Sequence, residues 1–151
     1  MHLSLSVIVA FLAVGIHGAP AAEDVEKRAI ITSGTNDGSI FQFGDASRCR
    51  KLFYDSGACG LSTYFKGKVP SNMPLVAVPS RVFDKFGQAQ HNKLCAKTIT
   101  MTYKGVTRRA IVADENTSDE QSIDMCLGDW KAFGGKDGDG TLRRGVKWTI
   151  G

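Results

Sequence analysis

Two aspartates stand ten residues apart in the last third of the sequence, Asp114 in Ile111-Val112-Ala113-Asp114-Glu115-Asn116 and Asp124 in Ser122-Ile123-Asp124-Met125. Each lies just after or within an apolar run, a pattern that places an acid on a strand beside a groove. Hydrolysing a glycosidic bond ordinarily takes two carboxyl groups, one to protonate the leaving oxygen and one to activate water or attack carbon. Asp124 is the candidate acid; partial burial, or a neighbouring carboxylate such as Asp114, would keep it protonated near neutral pH. The candidate base is Asp55, in Phe53-Tyr54-Asp55-Ser56-Gly57-Ala58-Cys59-Gly60, where Ser56 and Gly57 equally fit an Asx turn. Without a base the groove could still bind a sugar chain. Carboxylates accept hydrogen bonds from hydroxyls, and Tyr54, Tyr64, Phe65 or Trp130 offer faces to pyranose rings. Trp130 and Trp148 also fit an ordinary core role, and Asp114 a structural one at a strand end that must turn.

Other chemistries find little support. His91 is the only one of the three histidines that lies beyond residue 28, which leaves a histidine zinc cage or a Ser/His/Asp triad without enough imidazoles or with a single choice. Asp114, Asn116 and Ser118 imitate the start of a calcium loop, but Asp119 stands where the turn needs glycine and Met125 where the bidentate Glu belongs. Asp137-Gly138-Asp139-Gly140 reads as a surface turn. No metal and no cofactor is expected. Asn116-Thr117-Ser118 is an N-glycosylation acceptor, and a glycan there would stand close to the groove.

The elements that must position these residues begin after a leader. Leu3 to Ile16 is almost continuously apolar, too short to span a bilayer comfortably, and small residues follow at Gly18, Ala19, Ala21 and Ala22. We expect a signal peptide over residues 1–18 and a propeptide over 19–28 that ends at Lys27-Arg28, a dibasic site of the kexin type common in fungi, with cleavage after Arg28. Cleavage there would remove two basic and three acidic side chains and raise the formal charge from +4 to +5. The remaining cations are scattered, so a solvated surface is expected and nucleic acid is not. The mature protein is expected to be extracellular, free of the membrane and monomeric. All four cysteines lie after Arg28, an even set behind a secretion signal, which points to two disulfides with three possible connectivities.

Along the mature chain, residues 29–45 are rich in Ser, Gly, Asn and Asp and read as a flexible arm before a first short strand near Ser39 to Phe43; residues 46–151 form the expected single domain. Lys51 to Tyr54 reads as extended, and Leu75 to Val78 as a strand between Pro74 and Pro79. Ser80 could cap one helical turn carrying Val82, Phe83 and Phe86 and ended by Gly87. The clearest hairpin joins Lys97–Tyr103 to Val106–Ala113 through Lys104-Gly105. Asp114 to Gln121 reads as a polar loop and Leu127 to Phe133 as a short helix closing at Gly134-Gly135. Gly145 to Ile150 reads as a strand with Val146, Trp148 and Ile150 on one face. Many short strands with a few helical turns predict an all-β fold, a small closed barrel.

Gly57-Ala58-Cys59-Gly60, Val76-Ala77-Val78, Cys95-Ala96-Lys97, Val112-Ala113-Asp114, Ile123-Asp124-Met125 and Gly145-Val146-Lys147-Trp148, in that order, resemble the double-psi β-barrel domain. Expansins, loosenins, barwin-like proteins, family 45 endoglucanases and rare lipoprotein A share it. The resemblance implies six strands. It matches Asp124 to the acid of the expansin His-Phe-Asp motif, with Ser122 and Ile123 in place of His and Phe, and Asp114 to a second groove aspartate. Trp130 falls at the family's helix aromatic. Cys59 and Cys95 match positions that are bridged in expansin-like domains, leaving Cys49 to pair with Cys126. Asn116 replaces a family cysteine, and Cys126 occupies a family serine position. The function implied is that of a small fungal secreted expansin-like or loosenin-like protein, binding or loosening cell-wall glucan, cellulose or chitin without hydrolysis. The alternatives are an effector or protease-inhibitor-like protein acting on a partner protein through Lys66 to Met73 and Gln88 to Lys93, and a weak glycoside hydrolase or lytic enzyme using Asp124.

Overall fold

A computed structural model describes residues 29–151; the expected signal peptide, propeptide and cleavage after Arg28 fall outside the described residues. Among the described residues six strands form, β1 (Thr32–Gln42), β2 (Leu75–Pro79), β3 (Thr98–Tyr103), β4 (Val106–Asn116), β5 (Ile123–Cys126) and β6 (Arg143–Ile150). Four helices, α1 (Ala46–Ser56), α2 (Leu61–Tyr64), α3 (Ser80–Phe83) and α4 (Leu127–Ala132), lie between them. The strands close in the order β1-β5-β2-β4-β3-β6. β1 with β5 and β2 with β4 run parallel, and the remaining neighbours antiparallel.

Period-two alternation builds the core. Met125 pairs with Ile40 and Val76, and Val76 also pairs with Val112, so one row of apolar side chains crosses four strands toward the interior. Ile99, Met101, Val146 and Ile150 are likewise fully buried on β3 and β6. The expected hairpin is present. Lys104 (φ 45°) and Gly105 (φ 80°) both take positive φ, the turn whose twist suits two antiparallel strands. Both disulfides form in the pairing that the resemblance implied, Cys49 with Cys126 and Cys59 with Cys95. The first ties α1 to the end of β5, and the second ties the turn after α1 to the segment leading into β3. No helix of the described residues is long and apolar enough to cross a membrane.

Four local expectations are overturned. Residues 32–38 are not an arm: the first strand, expected near Ser39 to Phe43, already begins at Thr32 and closes the barrel, pairing with both β5 and β6. Its glycines are there for close packing: a Cβ at Gly34 would lie 2.7 Å from Trp148 Cζ2, and one at Gly38 would lie 2.5 Å from Met125 Cε. Lys51 to Tyr54 is helical rather than extended. Asp45 caps α1 by accepting from the Ser47 N–H at 2.8 Å, and Cys49 and Phe53, four residues apart, bury one face. The strand β4 does not stop at Ala113 but runs on to Asn116, because β2 supplies backbone partners as far as Pro79. Pro79, not Ser80, sits at the cap of α3, and Gly87 (φ 120°) ends the helical stretch as expected.

A domain of this size gains much of its stability from cross-links. Replacing Cys59 and Cys95 together by Ala, which opens a separation of 36 residues, is expected to lower unfolding stability by about 2–5 kcal/mol. Urea denaturation measures it; an unchanged midpoint would show that the pair does not form.

Candidate functional site

On the face opposite the apolar row, four residues stand in register across four strands. Ser39 pairs with Asp124, Asp124 with Ala77, and Ala77 with Asp114. The two predicted acids therefore flank one alanine on a common face. With neighbouring strands about 5 Å apart, their Cα atoms lie about 10 Å from each other. Ala77 keeps the floor between them low, because its side chain is a single methyl and is itself buried.

The two carboxylates are held differently. Asp114 Oδ1 accepts from the backbone N–H of Ala58 at 2.7 Å and from that of Glu115 at 2.9 Å, which pins the 57–60 turn against β4. Burial pushes its pKa up, and the two backbone donors oppose that rise. Asp124 accepts a short hydrogen bond from the Ser39 hydroxyl. Ser39 Oγ lies 2.6 Å from Ser122 Oγ, and Asn116 Nδ2 donates to Ser122 O at 3.0 Å and Ser122 Oγ at 3.2 Å, so a buried polar chain runs from Asn116 to Asp124. Burial again raises the Asp124 pKa; the Ser39 hydrogen bond lowers it, and the charges of Glu120 and Asp114 raise it further. Glu115 is raised too, by burial and by Asp84 and Asp114. The charged groups that act on Asp124, namely Glu120 and Asp114, are both acidic. A carboxyl so placed holds its proton to higher pH than an exposed aspartate does, and when ionised it accepts hydrogen bonds from hydroxyls.

The other expected site residues separate. Asp55 is exposed on α1 and paired with Lys51, one helical turn away, so the expected base does not join the row. Trp130 is fully buried, its Nε1 donating to Lys136 O at 3.2 Å and the Arg143 guanidinium carbon 4.6 Å from its ring centre; it is a core residue and offers no face to a sugar. Tyr54 is half-buried, with Arg50 5.9 Å from its ring centre. Tyr64 is 56% exposed at the end of α2 and keeps the role of a possible stacking ring. Asn116 is buried, and its amide is committed to Ser122, so the folded barrel turns the glycosylation acceptor inward.

Ser39, Ser122 and Ala77 were not among the expected site residues. Ser39 was expected to open a first short strand, and its role in the site follows from the β1–β5 register. A further acid, Asp129, is also buried, but off the row: on α4, its Oδ1 accepts from Arg108 Nε at 2.8 Å, joining α4 to β4. Among the described residues no cluster of three or more His, Cys, Asp or Glu side chains could hold a metal ion.

Because the folded protein holds the Asp124 proton more tightly than an unfolded chain of ordinary pKa 3.8 does, this group's contribution to stability is best at low pH and declines as pH rises through the raised value. Asp114 acts with the same sign. Asp124→Asn is therefore expected to reduce the loss of thermal midpoint between mildly acid and neutral pH. An equally steep loss in the variant would contradict the raised pKa.

Among solved structures, the chain is similar to a Streptomyces papain inhibitor, at 22% identity and a TM-score of 0.52, over 80% of this chain and 96% of that one. It is also similar to the Clavibacter michiganensis expansin. A point variant of that protein in complex with cellohexaose gives 17% identity, a TM-score of 0.53, and coverage of 80% of this chain and 50% of that chain. The apo form gives 18% identity, a TM-score of 0.51 and the same coverage, so this chain spans half the length of that expansin. No family model and no curated protein matches the sequence. The likeness is one of fold: a single double-psi β-barrel with two disulfides.

Proposed function

We propose that this protein is a secreted binder of cell-wall polysaccharide that acts in an expansin-like or loosenin-like way, without cutting the chain. The observation that carries the reading is the row Ser39, Asp124, Ala77, Asp114, which sets two acids on either side of a low methyl floor. Sugar hydroxyls can donate to the carboxylate oxygens that Ser39 and the backbone leave free. The expansin whose structure holds cellohexaose has the same fold, which supports a polysaccharide as the ligand class.

Cleavage is not part of the proposal. An acid at Asp124 needs an opposing group, and Asp55, the residue expected to supply it, is paired with Lys51 away from the row. Asp114 faces the same way as Asp124, with Oδ1 already accepting from two backbone donors. Hydrogen bonding to hydroxyls survives these constraints; a paired acid and base acting across one bond does not.

A second reading has its own support. The Streptomyces papain inhibitor is matched over 96% of its length, so a barrel of this size alone can be an inhibitor. Here the working surface would be the exposed parts of residues 66–73 and 88–93, and a cysteine protease would be the partner.

Retention on insoluble glucan, cellulose and chitin separates the readings. Asp124→Asn is expected to weaken retention about tenfold, the value of one hydrogen bond to a charged group, with no reducing ends released by either protein. Papain inhibition that survives Asp124→Asn, together with no retention on any polymer, would favour the inhibitor reading. Asp124-dependent release of reducing ends would establish hydrolysis instead.

A further inference from the structure

Away from the acidic row, β3 and β4 turn Thr98, Arg109 and Ile111 outward on one face. These residues contribute to a cleft of about 880 Å³, within the size range of ligand sites. One wall is the 68–73 loop. Arg50 fixes it from α1, Nε donating to Met73 O at 2.8 Å and a terminal N–H to Pro70 O at 3.0 Å. The opposite wall is main chain: Gly151 N donates to Thr98 O at 3.1 Å, and Ile31 N to Ile150 O at 2.7 Å. At one end Ala96 takes a left-handed backbone (φ 61°) and is anchored by its N–H to Val112 O at 3.0 Å. The cleft is thus braced on both sides by hydrogen bonds that owe nothing to a ligand.

Its side-chain charge is one-sided. Lys68, Lys97 and Arg109 line it, and no Asp or Glu side chain does. All three are exposed, and none takes part in an ion pair among the described residues, where the other cation–carboxylate contacts involve Lys51, Arg108, Arg143 and Arg144. Three unpaired cations on a braced concave surface attract an anion that spans several positions. Arg109 offers a planar fork to a carboxylate, and the lysines act as mobile point charges.

We propose that this cleft binds a carboxylate-bearing polysaccharide, a strand of uronic acid residues, at a site separate from the Asp124 row. The inference rests on the polysaccharide reading above and adds an acidic polymer to its ligands. Sugar chemistry fits the lining better than the other polyanions. No aromatic ring lines the cleft, which leaves nucleic acid bases nothing to stack on. The barrel is closed, so an acidic peptide finds no free strand edge to extend. Ile111, Met73 and Pro70 give apolar carbon against which the C–H faces of pyranose rings can lie, between cations that reach the carboxylates.

The test compares wild type, the triple variant Lys68→Gln/Lys97→Gln/Arg109→Gln, and Asp124→Asn on immobilised polygalacturonate and on neutral glucan at low and high salt, with thermal midpoints confirming that each is folded. Expected is salt-sensitive retention of wild type and Asp124→Asn on polygalacturonate, about tenfold weaker in the triple variant, with neutral glucan binding of the triple variant unchanged. Wild type that passes through polygalacturonate at low salt, or a triple variant retained equally, overturns the cleft. Displacement by poly-glutamate as effective as by oligogalacturonate overturns the sugar assignment in favour of an acidic peptide. Loss of neutral glucan binding in every protein, with cleft-dependent polygalacturonate retention intact, sinks the Asp124 row reading and leaves the cleft standing.

Discussion

Closure of the barrel by β1 is the constraint on which the rest depends. This strand pairs on one side with β5 and on the other with β6, and without it both would be open edges. The β1–β5 register also places Ser39 beside Asp124, and with it the hydroxyl chain that reaches Asn116. A slip of one residue would turn Ser39 inward and bring an apolar neighbour, Gly38 or Ile40, against the carboxylate. The strand that completes the sheet therefore also supplies the hydroxyl that opposes the burial-driven rise in the Asp124 pKa.

The same strand shows where sequence is a poor guide. Thr32 to Gln42 has glycines, Asn and Asp where strands usually have branched and aromatic residues, and on local chemistry it reads as an arm. The glycines are required by partners far away in the chain, the Trp148 ring over Gly34 and the Met125 methyl over Gly38. Nothing near residues 34 and 38 announces those contacts. The hairpin of β3 and β4, by contrast, is encoded locally by alternation and a Lys104-Gly105 turn, and it was legible as far as Ala113. α1 falls between. Asp45 as a cap and the four-residue spacing of Cys49 and Phe53 are local helix signals, yet Lys51 to Tyr54 was read as extended on its aromatic content.

For the site, sequence order placed Asp114 and Asp124 together, and the register agrees: both pair with Ala77. It failed where burial decides. A tryptophan or an asparagine has the same letter in a groove and in a core; Trp130 and Asn116 prove to be interior, each hydrogen-bonded within the barrel. It also failed where charge must be summed in space. Lys68, Lys97 and Arg109 looked scattered because they come from three segments, yet they line one cleft. Acids have gathered on one face and unpaired cations in one hollow, and the modest net charge conceals both.

The two regions are not mechanically independent, because residues 111–114 of β4 support both. At Asp114 the carboxylate holds the Ala58 N–H, and the neighbouring Ala113 O accepts from Cys59 N at 3.1 Å. Two residues earlier, Val112 exchanges backbone hydrogen bonds with Ala96 and Lys97, and Ile111 lines the cleft. The Cys59–Cys95 bridge joins the segments that these bonds hold. One cross-link over one strand thus braces the turn beneath the acidic row and the Ala96-Lys97 corner of the cationic cleft. A cross-link so placed limits how far either segment can leave β4, so the two proposed binding surfaces keep a fixed spacing. For a ligand as long as a wall polymer, that spacing, more than the affinity of either surface, decides whether one chain can engage both at once.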